Sequence, residues 1–153
     1  MQDAPQYDDV VGQVRRFLAD RLFACELAGI PKSRLVVDPG FGFGKNLDHN
    51  LHLLARLEAF ADLGVPLLAG LSRKRLIGEL TGASTPAARV HGSVAAAVLA
   101  ADRGARILRV HDVAATRQAL AVQHAVADAA RALPPVTASA SASAPTIRWP
   151  DDD

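Results

Sequence analysis

The feature that most constrains this chain is a repeated pairing of a short apolar run, closed by polar residues, with a stretch of helical periodicity. Leu35-Val36-Val37, Val65–Leu71 (VPLLAGL) and Ala105–Val110 (ARILRV) are the apolar runs, and such runs are the signature of strands buried on both faces. Around them, apolar residues return at helical spacing. Val10, Val14, Phe17, Leu18, Leu22 and Cys25 do so between Tyr7 and Ala28, and Leu47, Leu51, Leu54 and Leu57 mark a second helix ending near Gly64. SRKRLIGELTG reads as a loop running into a short helix, Ala87–Arg103 as a long helix, and Thr116–Arg131 as the last one. Gly29, Gly64 and Gly104 stand where these patterns stop, as glycines do just past helix ends. No hairpin dipeptide joins the strands, so the alternation predicts an α/β fold of parallel strands with helical crossovers.

Three parallel strands leave two unpaired edges, which a finished α/β domain covers or closes. An eight-stranded barrel takes about 250 residues, and this chain has 153. It therefore reads as part of a larger architecture. Half of the residues are hydrophobic, enough for a core, and the length fits one domain. A net charge of +1 gives no basic excess to suggest nucleic acid. The polar opening MQDAPQYDDVVGQ carries no secretory signal, and no apolar stretch approaches the roughly 20 residues of a membrane span, so neither export nor a membrane is expected. The single cysteine, Cys25, excludes an internal disulfide, is expected to be a small core residue, and points to a reducing, cytoplasmic setting. After Leu133 the sequence PPVTASASASAPTIRWPDDD is rich in Ala, Ser and Pro without a period. Residues 133–153 are therefore expected to form a disordered tail with no binding role for Trp149, following a partial domain over 1–132.

In parallel α/β folds the ligand site lies at the carboxyl ends of the strands. Here those ends carry Asp38 and Lys45, then Ser72, Arg73 and Lys74, then Arg109, His111 and Asp112, while the opposite ends carry little that is reactive. The loop DPGFGFGKN mimics two phosphate motifs and satisfies neither. Gly40 is one residue too close to Gly44-Lys45 for a P-loop, Asn46 replaces the magnesium-binding hydroxyl, and G-F-G-F-G is not the dinucleotide fingerprint. Its alternating Phe41 and Phe43 suit either packing beneath the loop or covering a flat ring. SRK ahead of a helix start suits an anion, and period two places Arg109 and His111 on one side of their strand. His49, His52, His91 and His124 show no ligand-like clustering, so no metal site is built from them. Ser72 has no paired base within its own motif, which argues against a Ser-His-Asp hydrolase.

DPGFGFGKN, GLSRKRLIG and RVHGSVAAAVLAADRGARILRVHDV together closely resemble the C-terminal half of the bacterial dihydropteroate synthase family, the targets of sulfonamides. The likeness runs in order and spacing from about Met1 to Ala130, and MQDAPQYDDVV resembles the segment after that family's fifth strand. The resemblance implies the C-terminal portion of a pterin-binding (β/α)8 TIM barrel, about strands six to eight with helices five to eight. The implied reaction joins p-aminobenzoate to hydroxymethyl-dihydropterin diphosphate and releases pyrophosphate with Mg²⁺. Asp38 would hold the guanidine-like edge of the pterin, Lys74 its carbonyl and ring nitrogen, and Arg109 and His111 the diphosphate; Phe43 and Ser72 would contact the aminobenzoate. Lys45 and Arg73 complete the expected substrate-binding set, with Lys74, Arg109 and His111 in the catalytic role. Diphosphate would depart first, and the aniline nitrogen would attack the resulting cation. The metal-holding asparagine and the two flexible substrate loops of the family's N-terminal half have no counterpart in this sequence. The chain alone is therefore expected to lack activity, and a homodimer through the late helices is implied. The rival readings are a pterin-binding methyltransferase relative, which has no need for SRK and RVHD around a diphosphate, and a non-enzymatic remnant or partner module.

Overall fold

A computed structural model of the protein describes residues 6–134; the opening five residues and 135–153, including Trp149 and nearly all of the expected tail, lie outside the described residues. Helix α1 (Val10–Leu27) begins at Asp9, whose carboxylate accepts the Gly12 N–H at 3.0 Å, the usual N-cap chemistry. It turns Val10, Val14 and Leu22 into the core. Cys25 sits on the flank of that stripe and is half-buried, not a core residue, because it lies near the helix end beside exposed Phe23 and Leu27.

The second predicted helix is two elements. Helix α2 (Leu47–Ala55) starts at Asn46 with a reciprocal cap: Asn46 accepts the His49 N–H at 2.8 Å, and the His49 ring accepts the Asn46 N–H at 3.3 Å. At Arg56 the backbone leaves α geometry and tightens into a 3₁₀ turn over Leu57–Leu63. The reason is legible in the spacing: Leu57, Phe60 and Leu63 recur every three residues, the 3₁₀ period, and all three are buried. Helix α3 spans Arg75–Thr81, a 3₁₀ turn over Ala87–Arg89 precedes α4 (Val90–Asp102), and α5 covers Val113–Ala132. Helix α5 therefore starts three residues before the expected Thr116, directly after Asp112.

The strands are parallel and shorter than the apolar runs. Strand β1 (Leu68–Ala69) pairs with β2 (Ile107–Leu108), and the Leu35–Val37 run joins the same layer through a single bridge between Val37 and Leu67. Leu67 is the hinge of this layer, since its carbonyl accepts from both Arg106 (2.9 Å) and Ile107 (3.1 Å). The expectation that both faces are covered is corrected. Val37, Leu67, Ala69 and Leu71 are buried, whereas Val36 and Ile107 remain 46% and 40% exposed. Crossovers of one hand place the helices on one side, and the alternate strand residues face away from them.

The core closes around Phe41, Phe60, Leu53 and Leu57. No described helix is long and apolar enough to cross a membrane. Phe60 is fully buried in the 3₁₀ turn, so Phe60→Ala should cost about 3–5 kcal/mol. Chemical denaturation checks this, and a loss below about 1 kcal/mol would show that the turn is not part of the core.

Candidate functional site

The three strands run parallel, and the polar residues that follow them build the site in layers. Asp38, Gly70 and Arg109 close the three strands in order. The Arg109 N–H makes the last ladder bond, to the Ala69 carbonyl at 3.0 Å. Its side chain then crosses the middle strand to Asp38, with Nη2 3.6 Å from Oδ2: an ion pair, but not a hydrogen bond. Gly70 makes that crossing feasible. A Cβ at this position would lie 2.8 Å from Arg109 Nη2 and 3.2 Å from Cζ. The other Asp38 oxygen accepts the Gly40 N–H at 2.8 Å, which fixes the carboxylate.

The glycine-phenylalanine alternation has a backbone cause. Gly40, Gly42 and Gly44 all have φ between 57° and 75°, a conformation that side chains disfavour. The reversals put the two rings in opposite environments: Phe41 is fully buried, and Phe43 is 53% exposed. Lys45 ties the loop to itself through the Gly40 and Phe43 carbonyls, both at 3.0 Å. Asn50, buried in α2, accepts the Gly42 N–H at 2.7 Å and donates to the Asn46 carbonyl at 2.6 Å. Lys74 donates to the Phe41 carbonyl and stands 4.5 Å from the Phe43 ring centroid, a cation–π distance. A cleft of about 520 Å³ opens between this loop and the start of α3, and a second of about 400 Å³ lies beside Asp38, Tyr7 and Phe17.

Burial pushes the Lys74 ammonium below the ordinary lysine range, with Asp38 opposing and Arg109 and Lys45 adding to the depression. Lys45 is lowered by burial for the same reason, again opposed by Asp38. One carboxylate thus sits among three cations. The local excess of positive charge, with its half-buried lysines, suits an incoming anion.

The SRK turn behaves differently from its expected role. Arg73 has φ of 58°, and its guanidinium is committed to Asp112, with Nε to Oδ2 at 3.0 Å and Nη2 to Oδ1 at 2.6 Å. It stands apart from the cluster around Asp38 and forms an ion pair that links two strand ends. The pair holds the Asp112 carboxyl below its ordinary value. Ser72 is buried, and a base from outside its own motif comes within reach: His111 Nδ1 lies 3.0 Å from its Oγ, and the His111 backbone N–H donates to the same oxygen at 3.1 Å. A nucleophile triad still does not form, because the Asp112 carboxylate is taken by Arg73 and the Ser72 hydroxyl faces inward. Arg109 and His111 therefore do not act from one extended strand, which ends at Leu108. Among the described residues no three His, Cys, Asp or Glu side chains cluster as a metal site would need.

Sequence reasoning missed Gly70, Asn50, Ser93 and Arg89. Ser93 Oγ accepts the Arg73 N–H at 2.8 Å, and Arg89 Nη1 donates to the Arg73 carbonyl at 3.1 Å. A glycine within the apolar run VPLLAGL was the one available signal, because glycine inside a strand often marks close approach by another group.

The sequence and fold of this chain are similar to those of known proteins. Residues 1–111 match the family described as Pterin binding enzyme, and the chain belongs to that family. It is 52% identical over 129 residues to the dihydropteroate synthase of Escherichia coli K12, covering 84% of this chain and 45% of that protein. Among solved structures, a Xanthomonas albilineans dihydropteroate synthase with 4-aminobenzoic acid superposes with a TM-score of 0.80 at 63% identity, covering 86% of this chain and 47% of that one. The same organism's enzyme in complex with 7,8-dihydropteroate gives 0.81 at 61% identity, covering 88% and 51%. The chain thus spans about half the length of the relatives it matches.

Two outcomes test this geometry. Gly70→Ala should displace the Arg109 guanidinium from Asp38 while the fold survives, since the crowded atom ends a flexible side chain. A structure of the variant with Arg109 unmoved would contradict the close-approach account. The second concerns pH. Lys74 releases its proton at lower pH folded than unfolded, so between those two points the unfolded chain holds more protons and stability rises with pH. Lys74→Met should flatten that rise in denaturation curves on the alkaline side, and an unchanged slope would show that Lys74 is not depressed.

Proposed function

We propose that this chain supplies the C-terminal half of a dihydropteroate synthase site, a transferase of folate biosynthesis built on about strands six to eight of a TIM barrel. The observation that carries the reading is the Asp38 carboxylate, pinned by the Gly40 N–H and faced by Arg109 across Gly70, with both lysines in its field. A fixed carboxylate that keeps an oxygen free of any hydrogen bond accepts the paired N–H donors of a pterin's guanidine-like edge. The identity to synthases solved with 4-aminobenzoic acid and with 7,8-dihydropteroate supports the same substrates here.

In this reading Lys74 reaches the pterin carbonyl and ring nitrogen once it leaves the Phe41 carbonyl. The exposed Arg109 and His111 receive the diphosphate. Phe43, half-exposed beside Lys74, offers its ring face to the aminobenzoate. Ser72 is turned onto His111 and acts on the site through it. Lys45 acts through the loop it closes. The chain's own contribution to rate is placement of positive charge where the leaving diphosphate gains negative charge. Departure of the diphosphate before attack by the aniline nitrogen needs no protein nucleophile. Mg²⁺, when present, would neutralise diphosphate oxygens. The described residues do not cluster to hold it.

The half-length match and the uncovered strand face at Val36 and Ile107 favour a second statement: the chain does not act alone. A face of this kind is where remaining strands would close the barrel. Exposed Val122 and Val126 on α5 are the residues we assign to a dimer contact.

A pyrophosphate-release assay with both substrates tests the reading. The chain alone should turn over at least ~10³-fold below a full-length synthase, since loss of even one oxyanion-type donor costs about 10²–10³. Fusion to the N-terminal half of the Escherichia coli relative should restore turnover, and Asp38→Asn in the fusion should remove most of it. Turnover by the chain alone near that of a full-length enzyme would overturn the half-site reading. A well-folded but inactive fusion would overturn the synthase assignment.

A further inference from the structure

We propose that Ser72 is a positioning residue that fixes the tautomer of His111 by donating to its Nδ1, so that the ring presents Nε2–H to an anionic oxygen. Ser72 is 7% exposed, and its Oγ has one proton and two lone pairs. The His111 backbone N–H donates to that oxygen at 3.1 Å, which uses one lone pair. His111 Nδ1 lies 3.0 Å away. If Nδ1 carried the ring proton, Oγ would accept twice, and its own proton would have no acceptor among the described residues. Leaving a buried donor unpaired is the expensive arrangement. If Oγ instead donates to Nδ1, every group is satisfied and the ring proton resides on Nε2, which has no partner among the described residues.

The neighbouring residues prevent Ser72 from turning away. Residues 72 and 73 after β1 pair with 111 and 112 after β2, as two successive rungs: Ser72 with His111, and Arg73 with Asp112. Arg73 is held in its left-handed conformation from both sides, its N–H by Ser93 Oγ at 2.8 Å and its carbonyl by Arg89 Nη1 at 3.1 Å. Ser93 Oγ in turn donates to the Arg89 carbonyl at 2.6 Å. Arg73 and Asp112 pair with each other in the next rung. His111 itself is exposed, which leaves Nε2–H open to a ligand.

The assignment of the tautomer stands on these contacts alone, whereas the identity of the anion rests on the diphosphate reading above. Long-range ¹H–¹⁵N correlation of the full 153-residue chain, at a pH where imidazoles are neutral, reads the tautomer directly. His111→Gln identifies the resonance. His49 is an internal reference, because its Nδ1 accepts the Asn46 N–H at 3.3 Å and its proton must lie on Nε2. The expected result is a single Nε2–H pattern for His111, a several-fold rise of the Nδ1–H form in Ser72→Ala, and the original pattern in Ser72→Thr, which keeps the hydroxyl. An Nδ1–H pattern in the unaltered chain, or an undiminished Nε2–H pattern in Ser72→Ala, would overturn the proposal. Inorganic pyrophosphate should then shift the His111 Nε2–H proton downfield. No response to pyrophosphate, with the tautomer as expected, would overturn the anion donor and with it the diphosphate reading, while Ser72 keeps its positioning role.

Discussion

The site depends on the register of one parallel ladder. Val37 opposite Leu67, and Leu68 and Ala69 opposite Ile107 and Leu108, put Asp38, Gly70 and Arg109 on the same face of the layer, with Gly70 level with Arg109 and Asp38 two residues lower, level with Leu68. A slip of one residue would turn the acid or the arginine to the helix side of the layer. With the register set, a carboxylate and a guanidinium from non-adjacent strands meet across the one position that has no side chain. The lysines of the flanking loop and of the α3 cap then enter the same field.

A second layer of contacts holds the first in place. Asn50 fixes the glycine loop from beneath, and the Arg89–Ser93–Arg73 cluster fixes the turn after β1. Asn50 and Ser93 sit on α2 and α4, and Arg89 immediately precedes α4, elements whose other task is to cover the apolar face of the strands. The same packing that buries Leu53, Leu57 and Phe60 therefore sets the positions of Phe43, Ser72 and Lys74. Stability and site geometry share one support.

How much was legible beforehand divides along local and non-local lines. The alternation of apolar runs with helical spacing revealed the parallel layout, and position at strand ends singled out Asp38, Lys74, Arg109 and His111 as candidates. Those signals are local. The break at Arg56 was also encoded, in the three-residue spacing of Leu57, Phe60 and Leu63, but the preceding leucines masked it by continuing a helical pattern. What stayed hidden needs two distant segments at once. Nothing near Arg73 announces that Asp112, 39 residues away, will take its guanidinium, or that Ser72 will find His111. Exposure of Val36 and Ile107 was misread because continuous apolar runs look alike whether a covering layer is present or not. The motif resemblance conveyed more about chemistry than about these supports.

The most direct test of the central claim is residue-level mapping of ligand binding. Amide chemical shifts of the full chain would be followed while dihydropterin diphosphate is added. The expected result is perturbation confined to Asp38–Lys45, Ser72–Lys74 and Arg109–Asp112, weak in affinity because one half of the site is acting. Perturbation centred instead on the opposite strand ends, around Leu57, Val65 and Arg106 where another cleft opens, or none at millimolar ligand, would contradict it.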